Sequence, residues 1–255
     1  MRFLTIISIF LFLSFWEAFY WFFIKDPFLF SPPSKVIPTF LRLILGQDPS
    51  FYLPTDILYS IYHYFLGFFT ALVLGISIGL LMGYSKKTEA LLFPILELLR
   101  PIPPIAWIPI AILLLKLTHA AAAFIIFIGS FFPILLNTRN GVANVEIKFI
   151  EAAMTLGAKK KDVLTKVIIP AAMPSIFTGI RVGSGVAWMC VVAAELFGVS
   201  AYGLGYQIEI ARLYHAPEIV ISYMLAIGLI GMLLDRFYGI LEQKTLKWRR
   251  GLVFE

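Results

Sequence analysis

Few residues of this chain have the types and spacing that an enzyme or a metal site needs. The histidines His63, His119 and His215 lie in different parts of the chain, without the short spacing typical of metal ligands. No G-x-x-x-x-G-K-[ST] loop is present to bind the phosphates of ATP, and no serine stands in a G-x-S-x-G turn. We therefore expect no cofactor, no metal and no catalytic residue. Any work driven by ATP would need a second polypeptide.

One segment combines a glutamate, small residues and a glycine at fixed spacing. It reads Glu151-Ala-Ala-Met-Thr-Leu-Gly157, and nine residues separate Gly157 from Val167-Ile-Ile-Pro170. The alanine-rich part favours a short helix that begins at Glu151, where an acidic side chain suits the positive helix end. Gly157 can adopt the left-handed conformation that ends a helix. Residues 158–166 are polar and basic, so the segment predicts a helix, a turn and a second helix. The short side chains would let a partner protein approach closely. The residues expected at that contact are Glu151, Ala152, Ala153, Leu156, Gly157 and Ala158.

The composition indicates a protein that lies in a membrane. Of the 255 residues, 60% are hydrophobic and only 14% are charged, and the mean hydropathy is +0.89. Soluble domains carry about 25% charged residues. Six apolar stretches approach or exceed the roughly 20 residues that cross a bilayer as a helix. They span about 3–24, 60–83, 92–115, 119–136, 174–199 and 219–240.

Three of these stretches carry further signals. The first is too long for a signal peptide and lacks small residues at a cleavage site, so we expect a retained anchor. A short amphipathic helix is expected near residues 36–45, in the loop that follows. The second stretch has a small residue at every fourth position, which favours close helix packing in lipid. Prolines interrupt the third stretch and predict kinks. The small residues of the second stretch are Gly67, Ala71, Gly75, Gly79 and Gly83.

The distribution of Lys and Arg predicts the orientation in the membrane. With the N-terminus inside, fifteen of these residues fall on the cytoplasmic side and five on the outside, while Arg100 lies within the third stretch. Both termini and the loop 137–173 are therefore expected in the cytoplasm. The net charge of +6 then reflects membrane topology and does not indicate binding of nucleic acid.

A few polar residues inside the apolar stretches are candidates for a translocation path, because charges at membrane depth are costly and often functional. Glu195 is either a gate or path residue or part of a buried ion pair. Arg100 either attracts an anion or fixes the third stretch. The prolines around Arg100 and the small residues around Ser184 would leave room for a route, although Gly183-Ser-Gly185 also fits close helix packing. The path candidates are Arg100, Trp107, Ser184 and Glu195.

Several longer motifs resemble the permease subunits of bacterial and archaeal ABC importers that use a solute-binding protein. The resemblance covers about residues 60–250 and is greatest to the nitrate, sulfonate and taurine branch. One departure is Leu-Leu-Leu-Lys116, where many relatives carry an aromatic residue followed by glycine. The motifs are Arg100-Pro-Ile-Pro-Pro-Ile-Ala-Trp-Ile-Pro109, Phe132-Pro-Ile-Leu-Leu-Asn137, the segment 151–170, Pro174-Ser-Ile-Phe-Thr-Gly-Ile-Arg181, Ala194-Glu195, Gly203-Leu-Gly-Tyr206 and Gly231-Met-Leu-Leu-Asp235.

The resemblance implies an all-α integral membrane protein with six transmembrane helices and a cytoplasmic coupling helix. Residues 1–56 would form an anchor and external loop, and residues 57–255 a permease domain with the coupling loop 137–173. It also implies a multi-pass protein of a prokaryotic plasma or inner membrane. The implied partners are two copies of an ABC ATPase, an extracytoplasmic solute-binding protein and a second permease, as a homodimer.

The resemblance further implies import of a small anion such as a sulfonate, taurine or nitrate, by alternating access coupled to a separate ATPase. A permease for a thiamine- or riboflavin-type precursor is an alternative, because that transporter group has similar permeases. An ion-coupled secondary transporter should show repeats with charged sites at the midplane, and none are evident in the sequence. An intramembrane enzyme would need paired catalytic groups at one depth, which are also not evident.

Overall fold

The computed structural model describes residues 2–246, and these residues form helices and connecting turns without any strand. Lys247, Arg249 and Arg250, which contribute to the predicted orientation, lie outside the described residues. The helices are α1 (Arg2–Phe19), α2 (Pro33–Ile44), α3 (Leu53–Tyr84), α4 (Lys86–Leu99), α5 (Ile108–Leu115), α6 (His119–Ala143), α7 (Ile147–Thr155), α8 (Lys160–Val163), α9 (Ile169–Leu196), α10 (Leu204–Leu213) and α11 (Pro217–Thr245).

The spans agree in number with the sequence prediction but differ in their ends. Five described stretches are long and apolar enough to cross a membrane, and α4 with the Pro104–Leu115 segment forms a sixth if the bent pair counts as one span. The bend is 87°, so the prolines break this span rather than kink it. Helices α3 and α6 extend beyond the predicted 60–83 and 119–136, because a helix continues past the apolar part that hydropathy detects.

The fifth predicted span differs most from its prediction, which placed its start near residue 174. A π-helical turn at Leu164–Ile168 joins α8 to α9, and the helical stretch Lys160–Leu196 is continuous. Pro170 is the second residue of α9, directly after this π-helical turn, and it has no backbone N–H to donate. The predicted loop 137–173 is therefore mostly helical, with short breaks around 144–146 and 156–159.

The core of the bundle is the packing of α3 and α9 against α6. The small residues of α3 face α6: a Cβ on Gly79 would lie 2.7 Å from the Cβ of Thr138, and one on Gly67 would lie 2.6 Å from the Cβ of Ile126. Real Cβ atoms do not approach so closely, so the glycines set the distance between the helices. The prediction of close packing along this face is confirmed.

Gly183 behaves in the same way, but Gly185 does not. A Cβ on Gly183 would meet Ile134 at 2.8 Å, whereas nothing lies within 4 Å of a Cβ on Gly185. The interpretation of Gly183-Ser-Gly185 as close packing is therefore wrong for its second glycine. Gly185 instead lines a small cavity of about 200 Å³ between α9 and α11.

Candidate functional site: the coupling loop, the cavity and the polar cluster

The segment 151–158 forms the predicted helix and turn. Helix α7 ends at Thr155, and Gly157 has φ +82°, in the left-handed region. The Gly157 N–H donates to the carbonyl of Met154 (2.9 Å), and the Ala158 N–H donates to the carbonyl of Ala153 (3.1 Å), which satisfies carbonyls at the helix end. The second helix then begins at Lys160.

Helix α7 begins at Ile147, four residues before its predicted start. Glu151 therefore lies in the middle of α7, and the prediction that it begins the helix and suits the positive helix end is wrong. The helix starts earlier because Glu146 has an extended backbone and Ile147 opens an apolar periodic run. Glu151 and Ala152 remain exposed, while Ala153 and Ala158 are half-buried.

One face of α7 and the turn after it packs on the bundle, and the opposite face is exposed. Ile150, Ala153 and Ala158 pack on a small core formed by residues of α6, α8 and α9. On the other side, Leu156 is 88% exposed and Met154 is 58% exposed. Large apolar side chains exposed in this way are typical of surfaces that contact another protein or a membrane.

The broken span, α6 and α9 line an open cavity of about 590 Å³. Arg100 lines it, and its exposed guanidinium makes no hydrogen bond or ion pair with any residue between 2 and 246, although its backbone N–H donates to the carbonyl of Leu96. Arg139 also lines it but pairs with Glu89, donates to the Asn140 side chain (2.8 Å) and lies over the Phe93 ring (5.5 Å). The cavity thus has one arginine whose charge is balanced by a carboxylate and one whose charge is not.

Trp107 and Ser184, the other path candidates apart from Glu195, lie in different surroundings. The Trp107 ring is half-buried against Phe124, with centroids 6.3 Å apart, and its indole N–H has no hydrogen-bond partner among the described residues. Ser184 is buried and shares a hydrogen bond of 2.8 Å with the Tyr64 hydroxyl. It borders the smaller cavity next to Gly185. The structure therefore does not bring the four candidates to one place.

Glu195 lies in packed protein rather than at either cavity. Its carboxylate accepts hydrogen bonds from the Ser60 hydroxyl (2.8 Å), from Nδ1 of His63 (2.8 Å) and from the Gly205 N–H (2.9 Å). Both Glu195 and His63 are fully buried. Of the two alternatives from the sequence, this geometry matches the buried pair, and its partner is a histidine.

The sequence reasoning missed this cluster. His63 also contacts a second histidine. Its Nε2 lies 2.8 Å from Nδ1 of His119. Along the chain, His63 is 56 residues from His119 and 132 residues from Glu195. No local sequence pattern therefore links the three ionisable groups. One signal was available: Ser60 and His63 are three residues apart and share a face of α3.

Comparison with known proteins places this architecture in a family. Residues 71–247 match the model of the binding-protein-dependent transport system inner membrane component. The chain belongs to this family. It is an ABC importer permease, as the sequence motifs predict, and a component of the inner membrane.

Its relatives are transport permease subunits. A predicted ABC transporter permease of Methanocaldococcus jannaschii is 45% identical over 89% of this chain and 85% of its own length. The predicted aliphatic sulfonates permease SsuC of Bacillus subtilis is 40% identical over 85% of this chain and 77% of its own. The nitrate import permease NrtB of a Synechocystis species is 38% identical over 69% of this chain and 64% of its own length.

A solved structure supports the fold alone. The permease fold of the MetNI methionine ABC transporter, in an inward-facing conformation, matches with a TM-score of 0.65 at 18% identity. The match covers 74% of this chain and 94% of the other. The predicted all-α permease fold is therefore confirmed.

Proposed function

We propose that this permease imports a small oxyanion, as one of a pair of identical permeases that works with two copies of a separate ATPase and an extracytoplasmic solute-binding protein. The relatives named above for sulfonates and nitrate, together with a bicarbonate permease of Synechococcus elongatus that is 38% identical, transport small oxyanions according to their names. Sulfonate, nitrate and bicarbonate share a compact group of oxygens with one negative charge.

The observation that carries the choice of an anion is the unpaired Arg100. A guanidinium binds planar and tetrahedral oxyanions through two parallel N–H groups. Apolar side chains such as Phe132, Leu136 and Val186 line most of the rest of the cavity. Arg139 offers much less charge, because Glu89 already neutralises it.

The coupling loop supports the choice of a separate ATPase. The chain has no phosphate-binding loop of its own. Leu156 and Met154 present an apolar surface that an ATPase would bury, and Glu151 adds a charge beside it. Closure of an ATP-bound ATPase pair would then move α7 and the continuous stretch from α8 into α9, and open the path outward. The proposal includes a cytoplasmic position for both termini and for α7.

The test is ATP-driven uptake into vesicles that contain the permease, its ATPase and its binding protein. Nitrate, bicarbonate, taurine and an alkane sulfonate are each offered as labelled substrate, with a thiamine-type precursor as the alternative. We expect Arg100→Gln to reduce uptake of the accepted anion by roughly 10- to 100-fold, the equivalent of about 1.5–3 kcal/mol for a hydrogen bond to a charged group. Arg42→Gln is the matched control, since Arg42 lies on α2 and contacts Thr39.

Two results would refute the proposal. Uptake of the thiamine-type precursor, with none of the four anions transported, would assign the permease to another substrate class. Unchanged anion uptake by Arg100→Gln would show that the unpaired guanidinium does not attract the substrate.

A further inference from the structure

The outer polar cluster, formed by Ser60, His63, His119 and Glu195, joins helices α3, α6 and α9 at one end of the bundle. The distribution of positive charge assigns that end to the outside of the membrane. A fourth helix, α10, is tied to it through its backbone, because the Leu204 N–H donates to the Ser60 hydroxyl at 2.9 Å. The cluster thus holds four helices together through polar contacts in an otherwise apolar core.

With Glu195 ionised, the hydrogen-bond distances in the cluster allow one arrangement of its protons. An ionised carboxylate only accepts, so Ser60 donates to Glu195, and His63 carries a proton on Nδ1. The remaining nitrogen of His63, Nε2, faces Nδ1 of His119 at 2.8 Å. A hydrogen bond at this distance needs a single proton between the two nitrogens. With both rings neutral that proton belongs to His119.

The charges around the cluster are unbalanced. Among the described residues, no lysine or arginine lies within ion-pairing distance of Glu195, and His63 is its only partner of that kind. Asp56, one turn earlier on α3, accepts hydrogen bonds from the Tyr223 hydroxyl (2.6 Å) and from the Gln207 amide (3.3 Å). The other charged groups nearest on α10, Glu209 and Arg212, pair with each other, and that hydrogen bond lowers the pKa of Glu209.

Aromatic rings surround the outer histidine. His119 is half-buried at the first turn of α6, and the rings of Tyr59 and Tyr202 stack beside it, each with a centroid 6.1 Å from the imidazole. The Tyr62 ring meets it edge-on. The aromatic rings can stabilise a cation on the imidazole, and Tyr202, the outermost named of them, is 49% exposed.

We propose that the outer polar cluster is a binding site for one proton, taken up from the outside, and that this proton stabilises the packing of α3, α6, α9 and α10. The proton adds to Nε2 of His119, and the Nδ1 proton of His119 passes to Nε2 of His63. His63 then carries protons on both nitrogens, next to Glu195. The protonated cluster is an ion pair without net charge, whereas the deprotonated cluster leaves a buried carboxylate without a cation.

The alternative ligand for such a group is a metal ion. The described residues contain no group of three or more His, Cys, Asp and Glu side chains placed to hold one. The 2.8 Å separations between His63 and its two neighbours also leave no space for an ion between them. The geometry is that of a hydrogen-bonded relay.

The direct test is nitrogen NMR of the full chain in detergent, with ¹⁵N-labelled histidine, between pH 5.5 and 8.5. The chain has three histidines, so the spectrum is simple, and His215→Gln removes the one outside the cluster. We expect the His63 and His119 signals to change together with the uptake of a single shared proton. Both rings staying neutral throughout, or two independent titrations, would overturn the proposal.

A second test measures the effect on stability. The proton is bound in the folded state, so its stabilisation is present at low pH and is lost as the pH rises and the proton leaves. One proton changes the unfolding equilibrium at most about tenfold per pH unit. We expect the melting temperature of the wild type and of His215→Gln to fall between pH 5.5 and 8.5. His63→Arg, which keeps a permanent cation beside Glu195, should remove most of this decline. An equal decline in His63→Arg would contradict the role of the proton.

Discussion

Replacement of Gly157 tests whether the shape of the coupling loop transmits the work of ATP hydrolysis. Gly157 has φ +82°, and nothing lies within 4 Å of a Cβ built on it. A Cβ there therefore meets no neighbour within this chain, and its cost inside the permease is the left-handed backbone. For a β-branched residue that cost is on the order of 1–3 kcal/mol. We expect Gly157→Val to populate the native turn about 5- to 150-fold less than the wild type.

The assay compares ATP-driven uptake with ATP hydrolysis in vesicles that contain the whole transporter. Gly157→Val should reach the membrane in normal amounts and should lose uptake by a factor in the stated range, while hydrolysis persists. Gly157→Asn should keep most of the uptake, because asparagine tolerates the left-handed region. Gly228→Val is the control for added bulk, since Gly228 also faces open space but lies in the regular helix α11. Wild-type uptake by a well-expressed Gly157→Val would refute the reasoning.

Three further predictions follow from the same geometry. Glu151→Lys should lower the amount of ATPase that co-purifies without lowering the melting temperature, because Glu151 is exposed in mid-helix; an undiminished yield would exclude it from the contact. Gly79→Val should lower the unfolding free energy by about 1–3 kcal/mol through overpacking against α6, and a melting temperature equal to that of Gly228→Val would contradict this. In a Cys190→Ala background, a water-soluble thiol reagent should label Arg100→Cys and leave Glu195→Cys unlabelled without ATP; the reverse pattern would place the accessible path elsewhere.

Local patterns predicted the features that depend on short stretches of chain. Hydropathy located the spans, since crossing a bilayer needs a long apolar helix whatever its neighbours are. The four-residue spacing of small side chains predicted the face of α3 that packs on α6, because that period follows from helix geometry alone. The turn at Gly157 was predicted because left-handed backbone strongly favours glycine.

Helix ends were predicted less well. Glu151 was expected to begin a helix that in fact starts at Ile147, and Pro170 was expected in a loop but stands within a continuous helical stretch. Apolar content falls where a span leaves the lipid, but the backbone hydrogen bonds continue for as long as neighbouring helices support them. Composition therefore marks the membrane boundary rather than the last residue of the helix.

The sequence by itself determined the class of protein, the number of spans and the helix and turn at residues 151–158, because each depends on residues that are neighbours along the chain. Only the tertiary structure decided which polar groups meet. It placed His63 between His119 and Glu195 on three helices, left Arg100 unpaired at a cavity, and paired Arg139 with Glu89. Such contacts depend on the rotation and depth of packed helices, and a shift of one residue turns a side chain by about 100° around its helix.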